Sequence, residues 1–549
     1  MLGFAIFFQV ALSAQNVNSE YDRNSLTILS VHHSDSYDNI TEQYLLRNNP
    51  GGEKFDATRI VTRTIPANYG RYVKNDEVTA SQWQKGKVTA VTDEVSNRPI
   101  GREVLAAWFN RSESSGKMDL NLINKRADYN ATDQTFNIAS SQALGEYLLH
   151  GDGIALVDNS YILVVDHSQP EKEYTKDSMT GKTDGVKFST IAYGYLFKLD
   201  FGLLERQKVW DCWILDSDSP EARQQKVAKW NSLPARLSLV KSSYTYSSSS
   251  KSFTSNDTDE TATMEASIKG CTKAIISEME NSVDAWKVKS TIFKTNPLVS
   301  KIGTKEGVSK MDRYEALEYL LDDNGSVSTR RRGMVRATTV ANNSTNSRGK
   351  SRASQFYQIS GGRLEPGMLL KQKKSLDFDL KGLYYGGASA GYGLEFDYMF
   401  GMSDAGSVNH IRIGGTYYSY KDAAQNTTTG ELYSVSSIDV RMGYGYGLHP
   451  FRQLEFVPTA FILANSLDTK LTEDDDESTA SYLSKTGWGL EAGADLILTV
   501  FYPVKLTVGA YYSARFLGGS IWKTYNDILK DAGHDRNGFT WRAGLVYEF

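Results

Sequence analysis

Along the last third of the chain, apolar and polar positions alternate with a period of two. In the final segment Phe539, Trp541, Ala543, Leu545, Tyr547 and Phe549 share one face, while Thr540, Arg542, Gly544, Val546 and Glu548 share the other. Successive strand side chains point to opposite sides, so the pattern predicts a strand with one apolar and one polar face. Seven earlier segments obey the same rule. Leu376, Phe378 and Leu380 alternate with Asp377, Asp379 and Lys381, Leu394, Phe396 and Tyr398 with Glu395 and Asp397, and Ile411 and Ile413 with His410 and Arg412. Ile438, Val440, Met442 and Tyr444 alternate with Asp439, Arg441 and Gly443, and Leu454, Phe456, Ala460 and Ile462 with Glu455 and Thr459. Trp488, Leu490, Ala492, Ala494 and Leu496 oppose Glu491, Gly493 and Asp495, and Leu506, Val508, Ala510, Tyr512 and Phe516 oppose Lys505, Thr507, Ser513 and Arg515. Eight strands are expected, each near the ~9–11 residues that cross a bilayer at a tilt.

Soluble sandwiches also alternate, so the connections carry weight. The links after the second, fourth and sixth strands (401–409, 449–452 and 501–504) are mostly tight, and those after the third, fifth and seventh (421–431, 468–485 and 518–537) are longer and polar. The first outward link, near 386–390, is short and departs from the scheme. Short turns on one side and long loops on the other fit a transmembrane barrel. Tyr384, Tyr398, Tyr417, Tyr433, Tyr444, Tyr446, Tyr512, Trp488, Trp541 and Tyr547 fall toward strand ends, where interfacial girdles lie. An even strand count closes the sheet and leaves no backbone edge in lipid. The opposite face carries Asp377, Asp379, Lys381, Glu395, Asp397, Arg412, Asp439, Arg441, Glu491, Asp495, Arg515 and Arg542. Side chains fill the interior of an eight-stranded barrel, so these charges are expected to pair in a closed lumen.

From Leu376 to Phe549 the chain resembles the small eight-stranded outer-membrane β-barrel proteins, down to the terminal aromatic Phe549. The resemblance implies an outer-membrane location and makes the last strand, with Tyr547 and Phe549, the signal read by the barrel assembly machinery.

The expected architecture is therefore mixed, with an α+β periplasmic domain (16–296) and a small all-β module (297–374) before the C-terminal eight-stranded antiparallel transmembrane barrel (376–549). Residues 1–14 (MLGFAIFFQVALSA) have the apolar core and small-residue exit of a secretory signal, without a basic n-region, which fits a truncated start. Helical periodicity appears at 102–109, 140–150, 220–233 and 264–286, and strand-like runs at 153–166, 190–201 and 208–215. The serine-rich stretch 242–261 reads as a polar, mobile loop.

In the small module, turn signals at Gly307, Gly325, Gly361, Gly362 and Gly367 separate three or four short strands. Its "IG…GV…DR", "G.VR.TTV" and "GGRLEPGM" segments resemble end modules of bacterial envelope and flagellar assembly proteins, which implies binding or scaffolding. Arg330, Arg331, Arg332 and Arg336, with Arg348, Lys350 and Arg352, are expected in a central loop. That loop is either simply solvated or a contact for anionic lipid or an acidic partner.

Composition narrows the reading. A net charge of −4 speaks against a basic nucleic-acid binder, and a mean hydropathy of −0.42 against spanning helices. Cys212 and Cys271 are either one disulfide or two buried thiols. The sequence has no G-x-S-x-G, P-loop or H-E-x-x-H motif. His32, His33, His150 and His167 read as surface or capping residues, and His410 as a structural ion-pair partner. Catalytic, cofactor and metal residues are expected to be none. The expected function is a non-enzymatic outer-membrane anchor and interaction platform, a subunit of an envelope assembly or secretion complex. Its partners would be membrane lipid, the barrel assembly machinery and other envelope proteins, with no nucleic acid. A narrow gated channel and a lipid A-modifying enzyme are the alternatives.

Overall fold

The computed structural model describes residues 23–549 except 34–37, 48–49, 53, 68–79, 131–153, 155, 254–259, 322–326, 344–352, 388–389, 426–431, 472–482 and 517–536. The chain divides into two compact units, and the second also contains residues 289–303 and 308–341.

The first unit is a mixed sheet with helices. Its strands are β1 (Asn24–His32), β2 (Phe55–Ala57), β3 (Thr64–Pro66), β4 (Ser160–His167), β5 (Glu171–Lys176), β6 (Thr183–Leu199) and β7 (Leu237–Ser252). The order is β2-β1-β4-β6-β5, with β3 also on β1 and β7 on β6. Strands β2, β3 and β4 run parallel to β1, and the remaining pairs are antiparallel. Its helices are α1 (Asp38–Arg47), α2 (Ala80–Asn97), α3 (Ile100–Trp108), α4 (Asn121–Asn130), α5 (Leu203–Trp210), α6 (Pro220–Asn231) and α7 (Glu260–Ser282).

Strand β4 is buried along its whole length, as expected of a strand covered on both faces. Ile162 and Val164 join Val91, Val95, Val104 and Trp108 of α2 and α3 on one side. Leu163 and Val165 join Cys271, Ile275 and Met279 of α7 on the other. In α3 the buried residues Ile100, Val104, Leu105 and Trp108 recur at helical spacing. Helix α6 begins with Pro220 after the N-cap Ser219, whose hydroxyl accepts from the Ala222 amide.

Two expectations need correction here. The stretch expected as a loop at 242–261 is largely strand β7, paired with β6 over its length. Low hydrophobicity misled because the ladder itself supplies the backbone bonds, and α7 approaches its serine side closely enough that a Cβ on Gly270 would collide with Ser247. The run 208–215, expected as a strand, is the end of helix α5 and the turn after it. Val209 of the helix and Cys212 of the turn join the core shared with α2 and α3, and Ile214 is buried beyond them. The cysteines are both free and buried, and they lie in different clusters. The expected signal segment and the helix at 140–150 lie outside the described residues.

The second unit holds two closed barrels. The smaller is ordered β10-β11-β12-β9-β8-β13, from β8 (Lys289–Thr295), β9 (Leu298–Ser300), β10 (Arg313–Leu321), β11 (Val327–Thr339), β12 (Ser354–Gly361) and β13 (Leu369–Lys373). Gly361 has φ +93°, and a Cβ there would strike the Arg332 carbonyl oxygen, so only glycine turns the chain so tightly.

The larger is an eight-stranded antiparallel barrel of β14 (Phe378–Gly387), β15 (Gly391–Met402), β16 (Val408–Gln425), β17 (Leu432–Phe451), β18 (Leu454–Leu471), β19 (Leu483–Phe501), β20 (Val504–Phe516) and β21 (Gly538–Glu548). Neighbours in sequence are neighbours in the sheet, and β21 closes on β14. The two-residue period appears directly as burial: Thr540, Arg542, Val546 and Glu548 are buried, whereas Phe539, Trp541, Leu545 and Tyr547 are exposed. The barrel thus turns its apolar rows outward and its charged rows inward, the inverse of a soluble barrel and the arrangement that lipid demands.

Candidate functional site

Among the described residues, the inward rows place eight carboxylates in the lumen: Asp379, Glu395, Asp397, Asp439, Glu455, Glu491, Asp495 and Glu548, all buried. They meet six buried cations, Lys381, Arg412, Arg441, Lys505, Arg515 and Arg542. Unpaired charge in so dry a space would cost several kcal/mol per ion. The side chains therefore interlock.

At the centre, Arg412 and Arg542 share Glu395 and Asp495. Arg412 Nε donates to Glu395 Oε1 at 2.8 Å, and Arg542 Nη1 donates to Glu395 Oε2 at 2.9 Å. Both guanidinium groups also bond Asp495, and the Tyr511 hydroxyl accepts from Arg542 Nη2 at 2.6 Å. Lys381 bridges Asp397 at 2.6 Å and Glu395 at 3.2 Å. On one side Arg441 holds Glu491 at 2.7 Å, and Arg515 holds Asp439 at 2.5 Å. His410 spans two acids, with Nδ1 2.8 Å from Asp397 and Nε2 3.0 Å from Glu455.

The remaining pairs lie at the end of the barrel where the tight turns 403–407, 452–453 and 502–503 cluster. Lys505 lies 2.8 Å from Asp379 and 2.6 Å from Glu548. Here the small barrel enters. Arg313 on β10 and Arg336 on β11 are both buried, and they reach Glu548 at 2.6 and 3.1 Å. With them, eight Lys and Arg side chains, together with the His410 ring, face the eight carboxylates among the described residues.

Apolar side chains pack at the same mouth. Met311 joins Met399, Met402 and Val408, while Met334 and Ile359 pack on Tyr502 of the last turn. Rim bonds add to it: Lys310 to Asp404 at 2.7 Å, Arg313 to Asp377 at 3.1 Å, and Gln453 to the Gly361 carbonyl at 3.2 Å.

Eleven of the twelve charges expected in the lumen are there. Asp377 is not. It precedes β14 with φ 54°, and its carboxylate turns to Arg313 at the rim. The strand begins at Phe378, two residues later than the alternation suggests. Glu455, Lys505 and Glu548 were absent from that expected set, although each occupies an inward position by the same parity.

The arginines expected in a loop lie on strand β11 instead. Arg330 donates to Glu318 at 2.8 Å, a bond that holds the Glu318 carboxyl below its ordinary pKa range. Arg332 also faces Glu318, at 3.6 Å, and Arg331 pairs with Glu315 and donates to the Tyr502 carbonyl. Arg336 is buried on Glu548. Arg331 and Arg336 thus reach the larger barrel, while Arg330 and Arg332 stay partly exposed on Glu318 of the small one. Arg348, Lys350 and Arg352 lie outside the described residues.

Tyr547 and Phe549 both face outward, and Phe549 stacks on Phe378 at 4.8 Å, pinning the chain end to the first barrel strand.

In the first unit, the sequence missed a buried charge cluster at the carboxyl ends of the parallel strands β1 and β4. The His33 ring lies 2.7 Å from Asp166, Lys87 of α2 also bonds Asp166, and the Lys87 ammonium sits 4.0 Å over the Tyr193 ring. Burial alone would raise the Asp166 carboxyl. The His33 hydrogen bond and the Lys87 charge outweigh it and hold the group below its ordinary value. His167, expected at the surface, is buried and bonds Thr272 of α7 at 3.0 Å. His33 follows strand β1 and His167 ends strand β4, both carried inside the sheet. No group of metal-ligating side chains forms among the described residues.

No protein-family model matches the chain, and no curated protein matches it. Solved structures do. A major outer membrane protein of Thermus thermophilus is 12% identical and covers 31% of this chain and 99% of its own, with a TM-score of 0.23. The N-terminal β-barrel domain of Pseudomonas aeruginosa OprF is 10% identical over 32% of this chain and all of its own, with a TM-score of 0.19. The Yersinia pestis attachment invasion locus protein, in complex with a heparin analogue, is 14% identical over 31% of this chain and 94% of its own, with a TM-score of 0.20. The C-terminal barrel is similar to these small outer-membrane barrels. The likeness is one of fold. The resemblance of the small module to flagellar assembly proteins has no counterpart among these structures.

Proposed function

We propose that this chain is a non-enzymatic outer-membrane anchor whose barrel is a closed, rigid base, holding a periplasmic platform for an envelope assembly or secretion complex. One observation carries the reading: Glu548, a lumen carboxylate on the last barrel strand, is bound by Arg313 and Arg336 of the small barrel as well as by Lys505 of its own. A barrel whose interior is completed by a second module is suited to holding that module, and its filled lumen suits a support better than a pore. The tight-turn end, where the small barrel sits, is the periplasmic end by the usual turn asymmetry. The chain before β14 then belongs to the periplasm. Tyr547 and Phe549, exposed at the end of the last strand, suit recognition by the barrel assembly machinery.

Protease shaving of cells tests this placement. The protein should fractionate with outer membranes after a high-salt wash, and its N-terminal unit should be cut only once the outer membrane is permeabilised. Cleavage of that unit in intact cells would overturn the reading.

A further inference from the structure

Strand β7 forms the outer edge of the first unit's sheet. Among the described residues β6 is the one strand paired with it. At 16 residues it is about three times the usual strand length. A long edge presents a row of unpaired backbone donors and acceptors, and proteins ordinarily blunt such edges with charge, proline or a bulge. From Ser242 to Ser250 this edge has no charge and no proline, and its ladder with β6 is regular there, the bulge lying earlier, at Leu196/Phe197.

The side chains on that stretch are already ordered. Tyr244 stacks on Tyr193 of β6 at 5.9 Å, and the Tyr246 hydroxyl donates to Ser189 at 2.9 Å, yet both tyrosines are more than half exposed. A large, fixed, exposed aromatic pair beside an open edge is the composition of an interface centre.

We propose that this edge pairs antiparallel with the same edge of a second copy of the chain, about a two-fold axis at Thr245. That register sets Tyr244 opposite Tyr246 twice, so four tyrosines meet on one face, where aromatic cross-strand pairs are favourable. Ser242 then faces Ser248, Ser243 faces Ser247, and Lys241 faces Ser249. No like charges oppose. The segment is self-complementary as an isologous two-fold contact requires, and the small serine side chains let the backbones close.

The test uses the full chain in detergent or nanodiscs. Sedimentation should show a dimer. Thr245→Cys should cross-link to itself on mild oxidation, because antiparallel partners lie about 4.5–5.5 Å apart at Cα, within disulfide reach. The parent chain gives the background for the buried Cys212 and Cys271. Lysines at both positions (S242K/S248K) should weaken self-association by roughly 100-fold, as should glutamates (S242E/S248E), through like charges juxtaposed across the interface. Mixing the lysine and glutamate chains should restore a dimer, which mere misfolding would not allow. A wild-type chain that stays monomeric at micromolar concentration overturns the proposal. So does a dimer that survives the lysine pair, or a T245C dimer that stays unlinked on oxidation.

Discussion

Arg313, on the first long strand of the small barrel, lies 2.6 Å from Glu548, the penultimate residue of the chain, and both are buried. The last strand of the membrane barrel is thus tied to the module before it. Glu548 also serves Arg336 and Lys505, so one carboxylate is shared by three cations gathered at the mouth. Glu548→Gln should therefore cost about 3–5 kcal/mol, the usual penalty for stranding buried charge. Urea unfolding in detergent, followed by the gel mobility shift between folded and boiled barrel, reads it. A cost under about 1 kcal/mol, the range of a surface pair, would remove Glu548 from the seat.

The outward face makes a separate prediction. Val508 is exposed on β20, paired with Leu496 and Ala543, well inside the apolar band. Val508→Arg should destabilise the barrel by about 2–4 kcal/mol in a bilayer, as cations near the midplane of barrels do. An Arg tolerated without cost in lipid vesicles would mean that this wall does not face lipid.

Much of this was legible in the sequence, for a definite reason. A strand's parity is a local property, so Arg412, Glu395, Asp495 and Arg542 could be placed inside before any partner was known. What a pair bonds to is not local. Nothing near Arg313 marks it as a partner of Glu548, because the meeting is made by docking one closed barrel on another. Strand β7 was misread because its serines and tyrosines satisfy the backbone through pairing while remaining wet on one face. The His33, Lys87 and Asp166 cluster was hidden because its members come from three elements far apart in sequence.

That cluster sets a pH dependence. The Asp166 carboxyl is held below its ordinary value in the folded unit, so it binds a proton more weakly folded than unfolded. Its contribution to stability is present above the ordinary carboxyl range, near pH ~4, and is lost as pH falls through the folded value. Thermal unfolding of the first unit's signal should shift downward between about pH 5 and pH 3, and Asp166→Asn should flatten that part of the profile. An unchanged slope in the variant would show that other groups carry the acid lability.

Both thiols should be silent in the native chain. Burial raises the Cys212 thiol and pushes the Cys271 thiol up to about 12, leaving almost no thiolate at neutral pH. A maleimide titration should label neither cysteine before denaturation and both after it. Rapid native labelling of Cys271 would place it outside the core between the sheet and α7.

Planar-bilayer recording of the purified full-length chain tests the central claim, that a charge-filled barrel completed by Arg313 and Arg336 is a closed support. The expected result is a bilayer that incorporates protein yet shows no steady conductance above baseline at neutral pH. A stable open conductance in the wild-type chain would contradict it.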